Sequence, residues 1–361
     1  MKFKYYKKTK KAKRKARRKA KIESERMNAR REALRENGSH LKDLYRISSE
    51  NIIPVTAPLV LISQIQRSGG TLLSQLFDGH PEIHAHPSEL MIGYPNKEVW
   101  PKLDLSDKPE RWFDILFEDK VIEHFKEGYK KGKKQKQSFP FIFLPPLQKI
   151  IFLKYMESME SIKLADIFDG YMTSYFGAWL NNQNNTGQKK FVTAFTPRLM
   201  MREENVASFF EVYPEGRIIS VIRDPRNWYP SASRHNPKSK KYRDIRDALQ
   251  QWNESAQSML RNKERWEDKV VIIKFEDLVA KTKSVMRYLA DFLELQFDNI
   301  LLLPTFNKYP INANTSFDIE KSAILTGTLS RYRTLSTEEL KIIDVLTKDQ
   351  YQRVIDLAIS F

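Results

Sequence analysis

Two arginines, each placed just beyond a short apolar run, carry the clearest chemistry in this chain. The first stands in Gln66-Arg67-Ser68-Gly69-Gly70-Thr71-Leu72, directly after the apolar run Leu59 to Ile65. Small residues between a strand and a helix let backbone N–H groups point into one concavity at the helix N-terminus, where the dipole also favours an anion. That makes a phosphate cradle. The nucleotide-triphosphate spacing GxxxxGK[ST] is absent, and the cation precedes the glycines instead of following them. An ordinary tight turn would use Gly69 and Gly70 equally well. The second arginine follows the run Arg217 to Ile222, in Arg223-Asp224-Pro225-Arg226-Asn227-Trp228-Tyr229-Pro230-Ser231, with Ser231 eight residues after it. A guanidinium offers two parallel charge-assisted bonds to phosphate oxygens. The bland alternatives are a surface ion pair of Arg223 with Asp224 and a helix N-cap at Ser231 after Pro230.

These residues need a scaffold that brings both loops to one place. Four apolar runs read as buried strands: 59–65, Phe191 to Phe195, Arg217 to Ile222 and Val270 to Phe275. Helical spacing occupies Trp112 to Tyr129, Lys154 to Asn181, Asn205 to Tyr213, Tyr242 to Trp266 and Lys281 to Leu293, with two closing helices at Thr337 to Leu346 and Gln350 to Ile359. Strands alternating with helices predict an α/β fold, a P-loop-like, mostly parallel β-sheet flanked by helices. In such a sheet ligands bind outside the carboxyl ends of the strands, so both arginine loops face one cleft. The segment Tyr129 to Lys149 runs from a basic stretch, 130–136, into Phe139-Pro140-Phe141-Ile142-Phe143-Leu144-Pro145-Pro146. Its prolines resist regular structure, and it is read as a long loop, a candidate lining for an acceptor cleft.

The chain has 361 residues and a formal net charge of +17, but residues 1–36 hold 17 Lys or Arg against four Glu and so carry +13 of it. The remaining body is only mildly basic at +4. Residues 1–36 are therefore expected to be an appendage, disordered or a solvated helix, able to contact a polyanion. Residues 37–361 are expected to form a single domain. There are no cysteines, no apolar signal region at the start and no apolar stretch long enough to span a membrane, which predicts a cytoplasmic protein.

Taken together, the Ser-Gly-x-Thr loop and the Arg-Asp-Pro-Arg segment with its Ser231 resemble the 5′-phosphosulfate and 3′-phosphate binding segments of the sulfotransferase superfamily. Lys274-Phe275-Glu276-Asp277-Leu278 resembles that family's strand-ending (Tyr/Phe)-Glu-Asp-Leu, and Trp252 in a long helix is a further match. Asn312-Ala313-Asn314-Thr315-Ser316-Phe317 resembles a segment of the branch that includes glycan and tyrosylprotein sulfotransferases. The resemblance spans residues 57–345 but leaves out 95–185, read as an acceptor-binding insert. It implies a sulfotransferase-type fold and 3′-phosphoadenosine 5′-phosphosulfate (PAPS) as co-substrate, with no metal. Arg67, Ser68, Gly69, Gly70, Thr71 and Leu72 would then hold the phosphosulfate, and Arg223 and Ser231 the 3′-phosphate. Ser330 and Arg331, in Leu329-Ser330-Arg331-Tyr332-Arg333, would close over the nucleotide, although a basic surface helix explains them as well. The family commonly has Lys in the place of Arg67, with Arg in some branches.

A hydroxyl acceptor must lose a proton, which calls for a base beside the cleft. Glu89, 22 residues after Arg67, is the first candidate by resemblance, although a Gly-Glu-Glu pattern is replaced here by Pro87-Ser88-Glu89. His86 is the second. His80 beside Pro81 reads as a helix-end feature, His84 as a surface residue, and the three histidines lack the acidic cluster that a metal site would add. Trp228 and Trp252 read as core or wall aromatics. Trp100, Trp112, Tyr171, Tyr175 and Trp179 suit either a helical core or stacking on sugar rings, and a carbohydrate acceptor follows from family analogy alone. The competing readings are a nucleotide-dependent kinase on a related fold and a non-catalytic polyanion-binding protein. The missing loop Lys opposes the first, and Arg67, Arg223 and Ser231 standing together oppose the second.

Overall fold

Apolar residues on both faces of a strand require cover on both faces, and the central strands receive it. The computed structural model describes residues 2–35, 40–92, 98–129, 138–234, 242–311 and 326–361, with the side chains of 2–15, 40 and 326 left aside. Five strands, β1 (Leu59–Ile62), β2 (Ile83–Glu89), β3 (Phe191–Phe195), β4 (Arg217–Ile222) and β5 (Val270–Lys274), form one sheet in the order β2-β3-β1-β4-β5. Every pairing is parallel. A two-residue antiparallel pair, β6 (Thr305–Phe306) with β7 (Tyr309–Pro310), stands apart. Leu59 and Leu61 of β1 face one apolar cluster while Val60 and Ile62 face another. This is why the run shows no polar alternation.

The helices described are α1 (Lys2–Ala33), α2 (His40–Glu50), α3 (Gly70–Phe77), α4 (Pro109–Leu116), α5 (Lys120–Glu127), α6 (Pro145–Glu157), α7 (Leu164–Ala178), α8 (Glu203–Val212), α9 (Pro225–Ser233), α10 (Ile245–Trp266), α11 (Phe275–Ala280), α12 (Thr282–Phe292) and α13 (Thr337–Leu357). Helices α4 to α8 build the layer on the Leu59/Leu61 face, and α3, α11 and α12 build the opposite one. A third cluster joins α9, α10 and α13 to Ile222 at the end of β4 and Ile272 in the middle of β5. Ile359 bridges Ile273, so the chain's last residues cover the open edge of β5. Among the described residues no helix is long and apolar enough to cross a membrane.

Several expectations are corrected. The strand β2 was not foreseen, because Ile83-His84-Ala85-His86-Pro87-Ser88-Glu89 lacks an apolar run. It lies at the sheet edge, and its register shifts between Ala85 and Glu89, which accommodates the missing N–H of Pro87. Pro145 and Pro146 do not prolong a loop but open α6, where their absent N–H groups would have had no helical partner. The helices read over 112–129 and 154–181 are each broken in two, and the two closing helices are one. Segment 95–185 is no separable insert, since Phe113, Phe152 and Tyr171 share one core with Leu61 of the sheet. The basic stretch 130–136 and the segment 312–317 lie outside the described residues.

The N-terminal segment is also more than a solvated tail. Residues 16–25 of α1 are exposed, but Arg30 is 4% exposed and donates to the Asp114 and Phe117 carbonyls at 2.9 and 3.1 Å. Its guanidinium lies over the Phe117 ring, both Arg26 and Arg30 pair with Asp119, and Ala33 and Leu34 pack on the core. The appendage therefore ends near residue 25 and not at 36. Replacing Arg30 with Ala strands two carbonyls and part of a carboxylate. The expected loss is about 1–3 kcal/mol of stability, read as a lower urea midpoint together with faster tryptic cleavage between Arg17 and Arg31.

Candidate active site

The sheet order decides where a ligand can enter. After β1 the chain turns toward β2 and β3, whereas after β4 it turns toward β5, so the loops leaving β1 and β4 part above adjacent strands and open a crevice. Arg67 lies in the first loop and Arg223 in the second. Hydrogen bonds fix the first loop along its length. Ile65 N–H donates to Ser255 Oγ at 3.0 Å, and the Gln66 carbonyl accepts from Trp228 Nε1 at 2.8 Å. The Arg67 carbonyl then accepts from Arg223 Nη1 at 2.9 Å. On the second loop, Trp252 Nε1 donates to the Arg223 carbonyl at 3.1 Å. Trp228 and Trp252 are thus buried braces for the two cation-bearing loops, a role more specific than core filling.

The glycines are required sterically. Gly69 is the N-cap of α3 at φ 101°, and no side chain caps the first-turn N–H groups of Gly70, Thr71 and Leu72. A Cβ on Gly69 would lie 2.4 Å from the Phe275 ring, and one on Gly70 would lie 2.3 Å from Gln64 Nε2 and from the Phe195 ring. Arg67 itself adopts φ 73°, a left-handed conformation that an L residue holds only under constraint. Ser68 is buried inside the turn.

Cations dominate the electrostatics of the crevice, with Glu276 and Asp224 offsetting part of the effect on Arg223. Arg223 is 3% exposed, and its Nη2 donates to the Thr328 carbonyl at 3.0 Å. Its Cζ lies 4.3 Å from the centre of the Phe275 ring, and its Nε has no hydrogen-bond partner among the described residues. Burial pushes Arg223 down to about 9, with Arg331 and Arg67 adding repulsion. Burial and then Arg331 push Arg67 down to about 10. Negative charge nearby is spoken for. Asp224 caps α9 and pairs with Arg226, not with Arg223. Burial first, then the charge of Asp224, raise Glu276 to about 7. Three guanidinium groups therefore crowd one desolvated corner, which favours a multiply charged anion.

Of the expected site residues, Arg67, Arg223 and Ser231 meet, with Arg67 Nε 3.4 Å from Ser231 Oγ. Ser231 lies inside α9, whose N-cap is Asp224, so it is not a capping residue. Arg331 stands close enough to act on both other arginines. Its segment is tied to α9 by Tyr332 N–H donating to Asn227 Oδ1 at 3.1 Å. The Ser330 hydroxyl turns back instead to the Gly327 carbonyl at 3.3 Å. Glu89 ends β2 in register with Phe195, the residue whose ring closes on Gly70, so it shares the sheet end with the cradle. Phe275 was signalled by its motif but not its role: it supports Gly69 and Arg223 together.

The histidines separate. His86 has a fully buried side chain with both ring nitrogens engaged, Nδ1 with the Ser88 carbonyl at 3.0 Å and Nε2 with Glu118 Oε1 at 3.1 Å. It is not available to an incoming acceptor as a base. His80 bonds the Gln296 carbonyl at 2.9 Å. His84 is buried and stacked on Phe176, not on the surface. Among the described residues no group of three or more His, Asp or Glu gathers as a metal site would. Trp100, Trp112, Tyr171, Tyr175 and Trp179 are all buried in the core, which takes their faces away from any sugar.

A family model described as the sulfotransferase family matches residues 58–299. Among solved structures, a sulfotransferase domain from the Synechococcus PCC 7002 olefin synthase shares the fold. It has 18% identity and a TM-score of 0.51 over 86% of this chain and 98% of that one. A mouse sulfotransferase, SULT7A1, complexed with PAP gives 10% identity and a TM-score of 0.41 over 88% and 92%. No curated protein sequence matches.

The site also predicts a pH dependence. Burial, with Lys189 adding to it, pushes His84 down to about 3. The unfolded chain takes up this proton near pH 6.5, while the folded chain refuses it until about 3, so stability falls as pH drops through that window. His84→Gln should flatten the decline of the urea midpoint between pH 6.5 and 4.

Proposed function

The chain belongs to the sulfotransferase family, and we propose that it transfers a sulfuryl group from PAPS to a hydroxyl or amine of an acceptor, with a carbohydrate as the leading acceptor class by family analogy. The observation that carries the choice of donor is the corner where Arg223, Arg67 and Arg331 crowd together. There the Arg223 guanidinium is buried, its Nε unpartnered among the described residues, beside a glycine cradle that a Cβ would fill. A nucleotide with phosphate at both its 3′ and 5′ positions presents charges to both loops. Arg223 and Ser231 would hold the 3′-phosphate. Arg67, Ser68 and the N–H groups of Gly69, Gly70, Thr71 and Leu72 would hold the phosphosulfate.

PAPS supplies an activated sulfuryl group and a 5′-phosphate leaving group. The protein's part is positioning and neutralisation of charge, as in phosphoryl transfer. Negative charge grows on the leaving phosphate oxygen as the bond to sulfur lengthens. Arg67 and the first-turn N–H groups of α3 then bind the transition state more strongly than the ground state. Glu89, at the same end of the sheet, is the candidate to accept the proton of the attacking hydroxyl.

Calorimetry of the full chain with 3′-phosphoadenosine 5′-phosphate (PAP) tests the donor. The expected result is micromolar binding, about −8 kcal/mol, weakened at least tenfold by Arg223→Ala and not matched by ATP with magnesium. Absence of PAP binding, or an equal response to ATP, would remove PAPS as donor.

A further inference from the structure

Glu118, on the short connection between α4 and α5, is 1% exposed and accepts from two sides. Its Oε1 receives the Tyr171 hydroxyl at 3.1 Å, and Tyr171 is free to give that proton because its oxygen accepts the Glu118 N–H at 3.2 Å. Its Oε2 receives the Met91 N–H at 2.8 Å. Both oxygens of Glu118 are thus held by donors. His86 Nε2 lies 3.1 Å from Oε1, and the charge and hydrogen bond of Glu118 favour a proton on the ring. At the other ring nitrogen the neighbour is the Ser88 carbonyl, which can only accept, so Nδ1 also carries a proton. A proton on each ring nitrogen satisfies both contacts at once.

The consequence lies in what the pair holds. His86 ties Glu118 to the Ser88 carbonyl, and Glu118 itself holds the Met91 N–H, so the two contacts bracket Glu89 and Leu90 on both sides. The Leu90 N–H is pinned in turn to the Phe195 carbonyl at 2.8 Å. We propose that His86 is a positioning residue, which with Glu118 fixes the Ser88-Glu89-Leu90-Met91 segment at the end of β2 and so holds the Glu89 side chain in place for proton acceptance. This inference rests on the reading of Glu89 as the base. Burial alone would lower the ring's proton affinity, but the charge and hydrogen bond of Glu118 and the Ser88 carbonyl reverse that and raise it. The other titratable groups facing the ring, Tyr171 and Tyr175 of α7, are kept neutral by burial and by Glu118. His84, two residues earlier on β2, is neutral as well.

The test combines nitrogen-15 NMR of the histidine rings with single-turnover release of labelled sulfate from PAPS in acceptor-free buffer. Water is then the acceptor: its oxygen bonds to sulfur, the sulfur–phosphate oxygen bond breaks, and Glu89 takes the proton. The expected result is imidazolium shifts for His86 at pH 7, where an ordinary ring is mostly neutral, that Glu118→Gln abolishes. His86→Gln and Glu118→Gln should each slow sulfate release at least tenfold while PAP affinity stays within twofold, which also shows that the variants fold. Combining His86→Gln with Glu89→Gln should cost little beyond Glu89→Gln alone, because a positioning residue acts only through the group it positions. A neutral ring at pH 7, or losses that simply multiply in an enzyme that does transfer, would end the positioning role alone. A wild-type chain that binds no PAP or releases no sulfate would end the functional reading and the positioning role together.

Discussion

Arg67 and Arg223 set like charges side by side where water is scarce, and most of the surrounding structure serves to keep them there. The depression of Arg223 from its ordinary 12.5 to about 9 corresponds to a penalty on its charged form on the order of 5 kcal/mol. The group still carries its charge at neutral pH, so the fold must absorb that cost. It does so with rigid partners: two carbonyl oxygens, the face of Phe275, and the indole donors of Trp228 and Trp252 that hold the loop carbonyls in turn. A carboxylate would have relieved the repulsion more directly. The nearest carboxylates are instead engaged with Arg226 or pushed toward neutrality, which leaves the positive charge to a ligand.

Much of this was legible in the sequence because its causes are local. Strands buried on both faces must be apolar throughout, and four of the five sheet strands announce themselves that way. The glycine pair and the two arginines sit at fixed distances from those runs, so strand prediction and crevice prediction stand together. What was hidden depends on partners far along the chain. The edge strand β2 takes its stability from β3 and not from its own composition. Pro145 and Pro146 break structure or begin it depending on whether a helix follows. Arg30 looks like every other basic residue of its segment until Asp114, Phe117 and Asp119 are brought beside it.

The acceptor side shows the same limit more sharply. The aromatic residues between 95 and 185 suggested a sugar platform by composition. Packing consumes them, with Trp100 stacked on Phe168, Phe141 parallel to Phe143, and Tyr175 against His86 and Phe143. Composition alone cannot tell a binding wall from a core, because both want large flat side chains and only the fold says which faces remain open.

Three consecutive residues, Phe117, Glu118 and Asp119, tie the periphery to the site. The Phe117 ring is buried in the core and its carbonyl receives Arg30, Glu118 turns inward to His86 and Met91, and Asp119 turns outward to Arg26 and Arg30. A short connection held from both sides has little freedom to shift. The docked end of α1 thus restrains the segment from which Glu118 reaches the end of β2 at Glu89. An N-terminal segment that reads by charge as an appendage is, over its last turns, part of the support for the candidate base. Residues 16–25 before it are exposed and stand outside that support.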